Sequence, residues 1–75
     1  TGNTMEAKNL LKMVLLKNPN LAGVHKNLGL ILMQEKDMNN ASEHFREYLR
    51  LMPMASDALA IKSFLQNKNQ SQNQS

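Results

Sequence analysis

The chain has no cysteine and no tryptophan, one tyrosine, two phenylalanines, two prolines and three glycines in 75 residues. Without cysteine there is no disulfide framework, thiolate metal site or sulfur nucleophile, which fits a reducing compartment such as the cytoplasm. Three aromatic rings, two of them Phe and one Tyr, are too few for the stacking platform that single-stranded nucleic acids require. No glycine-rich loop that could cradle a phosphate is present. No apolar run reaches the length of a membrane span, and no signal peptide is visible, so no membrane insertion is expected. Nine basic against six acidic side chains leave a net charge of +3, a modest excess spread along the chain. The two histidines, His25 and His44, fall on separate helical segments with no cysteine or i,i+4 ligand beside them, so zinc is not expected. No nucleophile stands with a base and an orienting carboxylate, so neither catalysis nor a cofactor is expected.

What is present is helical periodicity. A length of 75 residues allows one domain with a small core. A first helix is expected over Thr4–Lys17, with Thr4 as N-cap and Leu10, Leu11, Val14 and Leu15 as a stripe that Met5, Met13 and Leu16 widen. Asn18-Pro19 stops it, because proline cannot continue the ladder and the residue before it avoids the α region. A second helix over Leu21–Gln34 has the stripe Val24, Leu28, Ile31 and Leu32. Gly29 interrupts it at a cost of about 1 kcal/mol relative to alanine, which calls for a close helix–helix approach, with the small Ala41 expected opposite. Glu35-Lys36-Asp37 forms a turn. A third helix runs from Asp37 or Met38 to Leu51, with Ala41, Phe45, Tyr48 and Leu49 inward, and Met52-Pro53 ends it. A fourth helix is expected from Ser56, with Ala58, Leu59, Ile61, Phe64 and Leu65 on its apolar side. From Asn67 to Ser75 no apolar residue occurs, so a disordered polar tail is expected there.

Spacing ties these segments together. Ala7, Leu11, Val14 and Pro19 stand 34 residues before Ala41, Phe45, Tyr48 and Pro53. With His25-x2-Leu28-Gly29-x2-Leu32 added, the pattern resembles the tetratricopeptide repeat (TPR), in which a helix–turn–helix unit recurs with that period. The family's pattern carries Trp and Tyr where this chain has His25 and Leu32. The resemblance implies an all-α fold, an antiparallel helix–turn–helix solenoid fragment of about four helices. Residues 1–66 form the helical domain, comprising the second helix of a partial repeat (4–17), a full repeat (21–53) and a capping helix (56–66), with the tail at 67–75. Gly2 matches the glycine TPRs favour between their two helices, so the first unit lacks its first helix, as in an excised segment. The residues that carry the repeat packing are Ala7, Leu11, Val14, Pro19, Leu28, Gly29, Leu32, Ala41, Phe45 and Pro53.

The resemblance also implies a non-enzymatic protein-interaction module that binds a peptide or helix of a protein partner in a concave groove. The register puts Gly23, Lys26, Asn27, Leu30, Met33 and Gln34 on that groove, and the capping helix adds Asp57, Ala60, Ile61 and Phe64. Lys26 and Asn27 invite comparison with TPRs that hold a peptide carboxylate. The groove places of the next unit hold Asp57 and Ile61, however, and supply no second cation. Met33 suits a shape-adapting groove, whereas Met5, Met13, Met38, Met52 and Met54 are expected to fill core gaps. Lys8, Lys12, Arg46 and Arg50 decorate the outer faces. Glu43 and Glu47 interrupt them, so Glu43/Arg46 and Glu47/Arg50 pairs on a solvated face are expected and nucleic acid is not. His44 is expected on that solvated face and His25 in a half-buried slot. Asn-x-Ser triplets at 40–42, 69–71 and 73–75 match the glycosylation pattern as a composition-rich chain does by chance. Two further readings stand beside the groove: a homodimer through the Thr4–Lys17 helix, and a regulatory segment of a larger enzyme.

Overall fold

A computed structural model describes the backbone of residues 2–74 and the side chains of residues 3–66. The described residues form four α-helices: α1 (Gly2–Lys17), α2 (Ala22–Gln34), α3 (Met38–Leu51) and α4 (Ala58–Gln74). The fold class is all-α. α4 runs on to Gln74, into the stretch at 67–75 where a disordered polar tail is expected, and the side chains of that stretch lie outside the described residues.

Each helix begins and ends for a local reason. α1 takes in Gly2, so Thr4 is its third residue and not its cap, and Gly2 is helical instead of forming a turn. The helix closes with Lys17 at the negative end of its dipole and the Asn18 N–H on the Val14 carbonyl at 2.9 Å, before Pro19 blocks continuation. α2 has an extended residue, Leu21, at its N-cap with no side-chain hydrogen bond. Its far end winds into Lys36, whose φ of 69° is left-handed. There the Asp37 N–H reaches back to the Leu32 carbonyl at 2.9 Å and the Lys36 N–H to Met33 at 3.0 Å, the paired bonds of a Schellman motif. Asp37 then caps α3, its Oδ1 accepting from the Asn40 backbone N–H at 3.5 Å while its Oδ2 accepts from Asn40 Nδ2 at 2.9 Å. α4 starts at Ala58 rather than Ser56. Ser56 and Asp57 lie in the turn before it, and the Asp57 carboxylate is drawn away to Lys26 and Tyr48.

Packing follows chain order. α2 and α3 form the most extensive contact, α1 lies on α2, and α4 lies on α3. The core is Leu28, Leu32, Ala41, Phe45, Tyr48, Ala58 and Ile61, all buried. Burial of each large apolar side chain here contributes about 1.5–3 kcal/mol. The core therefore sits along α3, which has α2 on one side and α4 on the other.

Gly29 marks a close approach of α2 to α3, as its spacing suggests, with the Phe45 ring nearest rather than Ala41. A Cβ built on it would lie 2.7 Å from Cε1 and 2.9 Å from Cδ1 of Phe45. The glycine makes room for the Phe45 ring of α3. Ala41 is itself fully buried. The methionines also depart from expectation: Met5, Met13, Met52 and Met54 are exposed instead of filling gaps. Leu59 is exposed too, on the side of α4 turned away from α3. Of the repeat positions, Leu28, Gly29, Leu32, Ala41 and Phe45 are buried, Ala7 and Leu11 are half-buried, and Val14, Pro19 and Pro53 are exposed. Three ion pairs form among the described residues: Lys8–Glu35, Lys26–Asp57 and Glu47–Arg50. Glu43 and Arg46 form none of them. Ser42 is buried and donates its Oγ–H to the Met38 carbonyl at 2.8 Å, which leaves the 40–42 triplet as part of a helix wall.

Candidate functional site: an apolar cleft between α2 and α4

Helical spacing builds the two walls of a cleft. Lys26, Leu30 and Met33 fall at i, i+4 and i+7 on one face of α2. Asp57, Ala60, Ile61 and Phe64 fall at i, i+3, i+4 and i+7 at the start of α4. α3 separates these helices and supplies the floor through Phe45. The eight residues line one cleft of about 270 Å³. Pockets for drug-sized ligands run from roughly 300 to 1,000 Å³. This cleft is smaller and shallower in kind, the size of a few apolar side chains.

The floor is fixed by an edge-to-face pair. The Phe45 and Phe64 rings stand 5.3 Å apart between centroids at 76°, the arrangement their ring quadrupoles favour. Phe64 is held from below by a ring that is itself wedged over Gly29. Three elements thus converge on one aromatic contact.

One end of the cleft is polar and closed on itself. Lys26 forms an ion pair with Asp57 Oδ2. Tyr48 donates its hydroxyl to Asp57 Oδ1 at 2.7 Å. The Lys26 ammonium also lies 5.8 Å from the centroid of the Tyr48 ring, within cation–π range. The hydrogen bond from Lys26, then that from Tyr48, holds the Asp57 carboxyl below the usual carboxylate range. The same partner raises Lys26, through the hydrogen bond first and its charge second. Tyr48 is raised because its hydroxyl is bonded to a carboxylate and partly desolvated. Asp57 thus answers the charge of Lys26 from inside the molecule, and no unpaired cation faces the cleft at this end.

Of the groove positions read from the sequence, Lys26, Leu30, Met33, Asp57 and Ile61 come together in this cleft, with Ala60 and Phe64. Gly23, Asn27 and Gln34 are exposed on α2 and do not line it, and Gly23 has open space around it. Phe45 lines the cleft although its spacing marks it only as core. Tyr48 reads as core as well, and its hydroxyl contact with Asp57 has no signal in the sequence beyond the need of a buried phenol for a partner.

The histidines do not behave as separate groups. His25 is buried, and His44 is half-buried instead of solvated. Their Nδ1 atoms are 3.1 Å apart. Sequence distance hides a contact that the α2·α3 crossing makes. Among the described residues no group of three or more His, Cys, Asp or Glu side chains could hold a metal ion. Nor is any described helix long and apolar enough to cross a membrane.

No family model matches the chain, and no curated protein or solved structure matches it.

Proposed function

We propose that this chain is a TPR-like, non-enzymatic interaction module whose α2–α4 cleft takes apolar side chains from a helix or peptide of a protein partner. The observation that carries this reading is the cleft itself, with Leu30, Met33, Ala60, Ile61 and Phe64 set around a Phe45 floor. Its small volume suits a few anchoring side chains better than a cofactor, and Met33 can adjust to their shape. The 34-residue spacing of Ala7, Leu11, Val14 and Pro19 with Ala41, Phe45, Tyr48 and Pro53 supports the family reading. The Lys26–Asp57 pair argues for apolar anchors and against capture of a terminal carboxylate, since Lys26, the one cation among the described residues that line the cleft, already has an anion.

The test is selection of peptides from a randomised display library on the wild-type chain, followed by titration of those that bind. Leu30→Asp and Phe64→Ala should each weaken them on the order of tenfold or more. Lys12→Ala and Arg46→Ala should leave affinity unchanged. Binders that ignore the cleft substitutions and respond to Lys12 or Arg46 would move the site to the outer face.

A second reading has its own observation. Met5, Leu10, Met13, Val14 and Leu16 are exposed on α1, and clustered exposed apolar residues mark contact surfaces. A homodimer through α1 would cover them. Sedimentation at tens of micromolar chain concentration separates the two: a dimer that Leu10→Gln/Met13→Gln dissolves supports it, and a monomer removes it.

A further inference from the structure

The α2·α3 seam holds a titratable contact that the cleft does not use. His25 Nε2 is 2.8 Å from the Pro19 carbonyl oxygen in the turn between α1 and α2. A carbonyl oxygen only accepts, so His25 Nε2 must carry a hydrogen and donate it. In the neutral imidazole this leaves His25 Nδ1 bare. The His44 Nδ1, 3.1 Å away, must then bring the hydrogen that joins the two rings. The network therefore dictates opposite tautomers: Nε2–H on His25 and Nδ1–H on His44. The rings lie tilted at 34° with centroids 5.3 Å apart.

One added proton fits this arrangement. Placed on His44 Nε2, it leaves the Nδ1–H of His44 donating to His25 as before. Placed on His25 Nδ1, it donates to His44 once that ring carries its own hydrogen on Nε2. A second proton does not fit. It would set two N–H groups facing each other across 3.1 Å and put two positive rings in contact.

We infer that the His25–His44 contact is a pH-operated switch: it stays closed with at most one added proton, and the second expels the His44 ring from the α2·α3 seam. His25 stays behind, since its Nε2–H bond to Pro19 survives protonation. His44 is the ring that leaves because it is half-buried where His25 is buried.

The surrounding charges set where the switch acts. Lys12 of α1 opposes positive charge on His44, while Glu43 and Glu47 of α3 favour it. Glu47 is committed to Arg50, its Oε1 accepting from Nη2 at 2.8 Å. The next residue along α2, Lys26, is held by Asp57. The turn at 18–21 brings no charged side chain. Burial, first, and the neighbouring His25, second, hold the His44 imidazole below its ordinary value of 6.5. The unfolded chain thus binds more protons than the folded one just below that value. Stability from the closed seam is complete above pH 6.5 and falls away with pH through the window beneath it.

Nitrogen-resolved NMR of the wild-type imidazoles, followed from about pH 8 to about pH 5, reads the switch directly and stays above the carboxylate range. The alkaline spectrum should show His25 as Nε2–H and His44 as Nδ1–H. Two separated protonation steps should follow, and the two rings should part only at the second. In parallel, the melting temperature of wild type should fall by several degrees across this window. His44→Gln should flatten that fall, because its amide bonds to His25 Nδ1 without titrating. The inference is overturned if both rings carry the proton on Nε2 at alkaline pH. It is also overturned if they titrate as independent sites while staying together, or if His44→Gln keeps the wild-type pH profile. Should that variant not fold, the wild-type spectra decide alone.

Discussion

α1 and α3 carry matched residues at a spacing of 34 and meet different surroundings. On α3, Ala41, Phe45 and Tyr48 are 0%, 3% and 7% exposed. On α1 the matching Ala7 and Leu11 are only half-buried, and Val14 is 41% exposed. Both helices have an apolar stripe and both stop at a proline. The difference lies in their neighbours: α3 has α2 on one side and α4 on the other, whereas α1 has α2 alone. An apolar stripe states which face of a helix seeks cover. How much cover it receives depends on the elements around it, which the stripe does not encode.

The sharpest way to break this comparison is to truncate matched positions. Phe45→Ala should destabilise by about 3–5 kcal/mol, the range for a fully buried phenylalanine. Leu11→Ala, at the matching half-buried place, should cost about 1–2 kcal/mol, roughly half of full side-chain burial plus a small cavity. Chemical denaturation of the two variants gives both values on one scale. Equal losses would mean that α1 is as firmly covered as α3.

Gly29 belongs to the well-covered side. Gly29→Ala improves helix propensity by about 1 kcal/mol while forcing a Cβ to 2.7 Å from the Phe45 ring. Overpacking of this kind costs typically 1–3 kcal/mol, so the alanine variant should end between neutral and about 2 kcal/mol less stable. Gly29→Leu gains nearly the same propensity but pushes a larger side chain into the ring, and should lose about 2–3 kcal/mol, or roughly 8–24 °C in Tm for a domain of this size. Adding Phe45→Leu to Gly29→Ala should recover stability relative to Phe45→Leu alone, which identifies the ring as the obstacle. No coupling between the two positions would place the obstacle elsewhere.

The third test joins the covered core to the cleft. Asp57→Asn removes the charge that Lys26 and Tyr48 share. Because the folded carboxyl sits below its unfolded value of 3.8, its contribution is present above that value and lost as pH falls through the folded one. The variant should melt a few degrees lower at neutral pH and show a shallower acid limb below about pH 4. An unchanged acid limb would mean that the pair is solvated and carries no stability.

These sites show what a linear pattern can and cannot convey. The four helices follow from apolar spacing, two prolines and an Asp cap, and their boundaries fall within a few residues except at the far end of α4, which runs on to Gln74 through a stretch with no apolar residue to announce it. The cleft follows from the same register, since Lys26, Leu30 and Met33 share a face whatever the neighbours do. Contacts between helices are another matter. Gly29 announces a close approach, but spacing does not reveal whether Ala41 or Phe45 fills it, because both lie on the inward face of α3. His25 and His44 meet through the crossing geometry of α2 and α3, which no local motif records. Asp57 reads as a helix start signal until a lysine two helices away takes its carboxylate. Lys36 occupies a left-handed position where glycine or asparagine is usual, so nothing in Glu35-Lys36-Asp37 marks the closing bonds of α2.

The smallest expected effect tests the exposed side of the comparison. Leu16 is 85% exposed near the end of α1. Leu16→Gln keeps a side chain of good helix propensity and adds no charge beside Lys12 or Lys17. If α1 has an open face, the change should alter stability by no more than about 0.5 kcal/mol, the usual range for a surface site. The measurement should be made by denaturation at two chain concentrations. A loss that appears only at the higher concentration would show that copies cover Leu16 in one another, as an α1-mediated dimer requires. A loss well above that range at both concentrations would show that Leu16 is covered within a single chain. The contrast between α1 and α3 would then fail, since exposure and not residue type is what separates them.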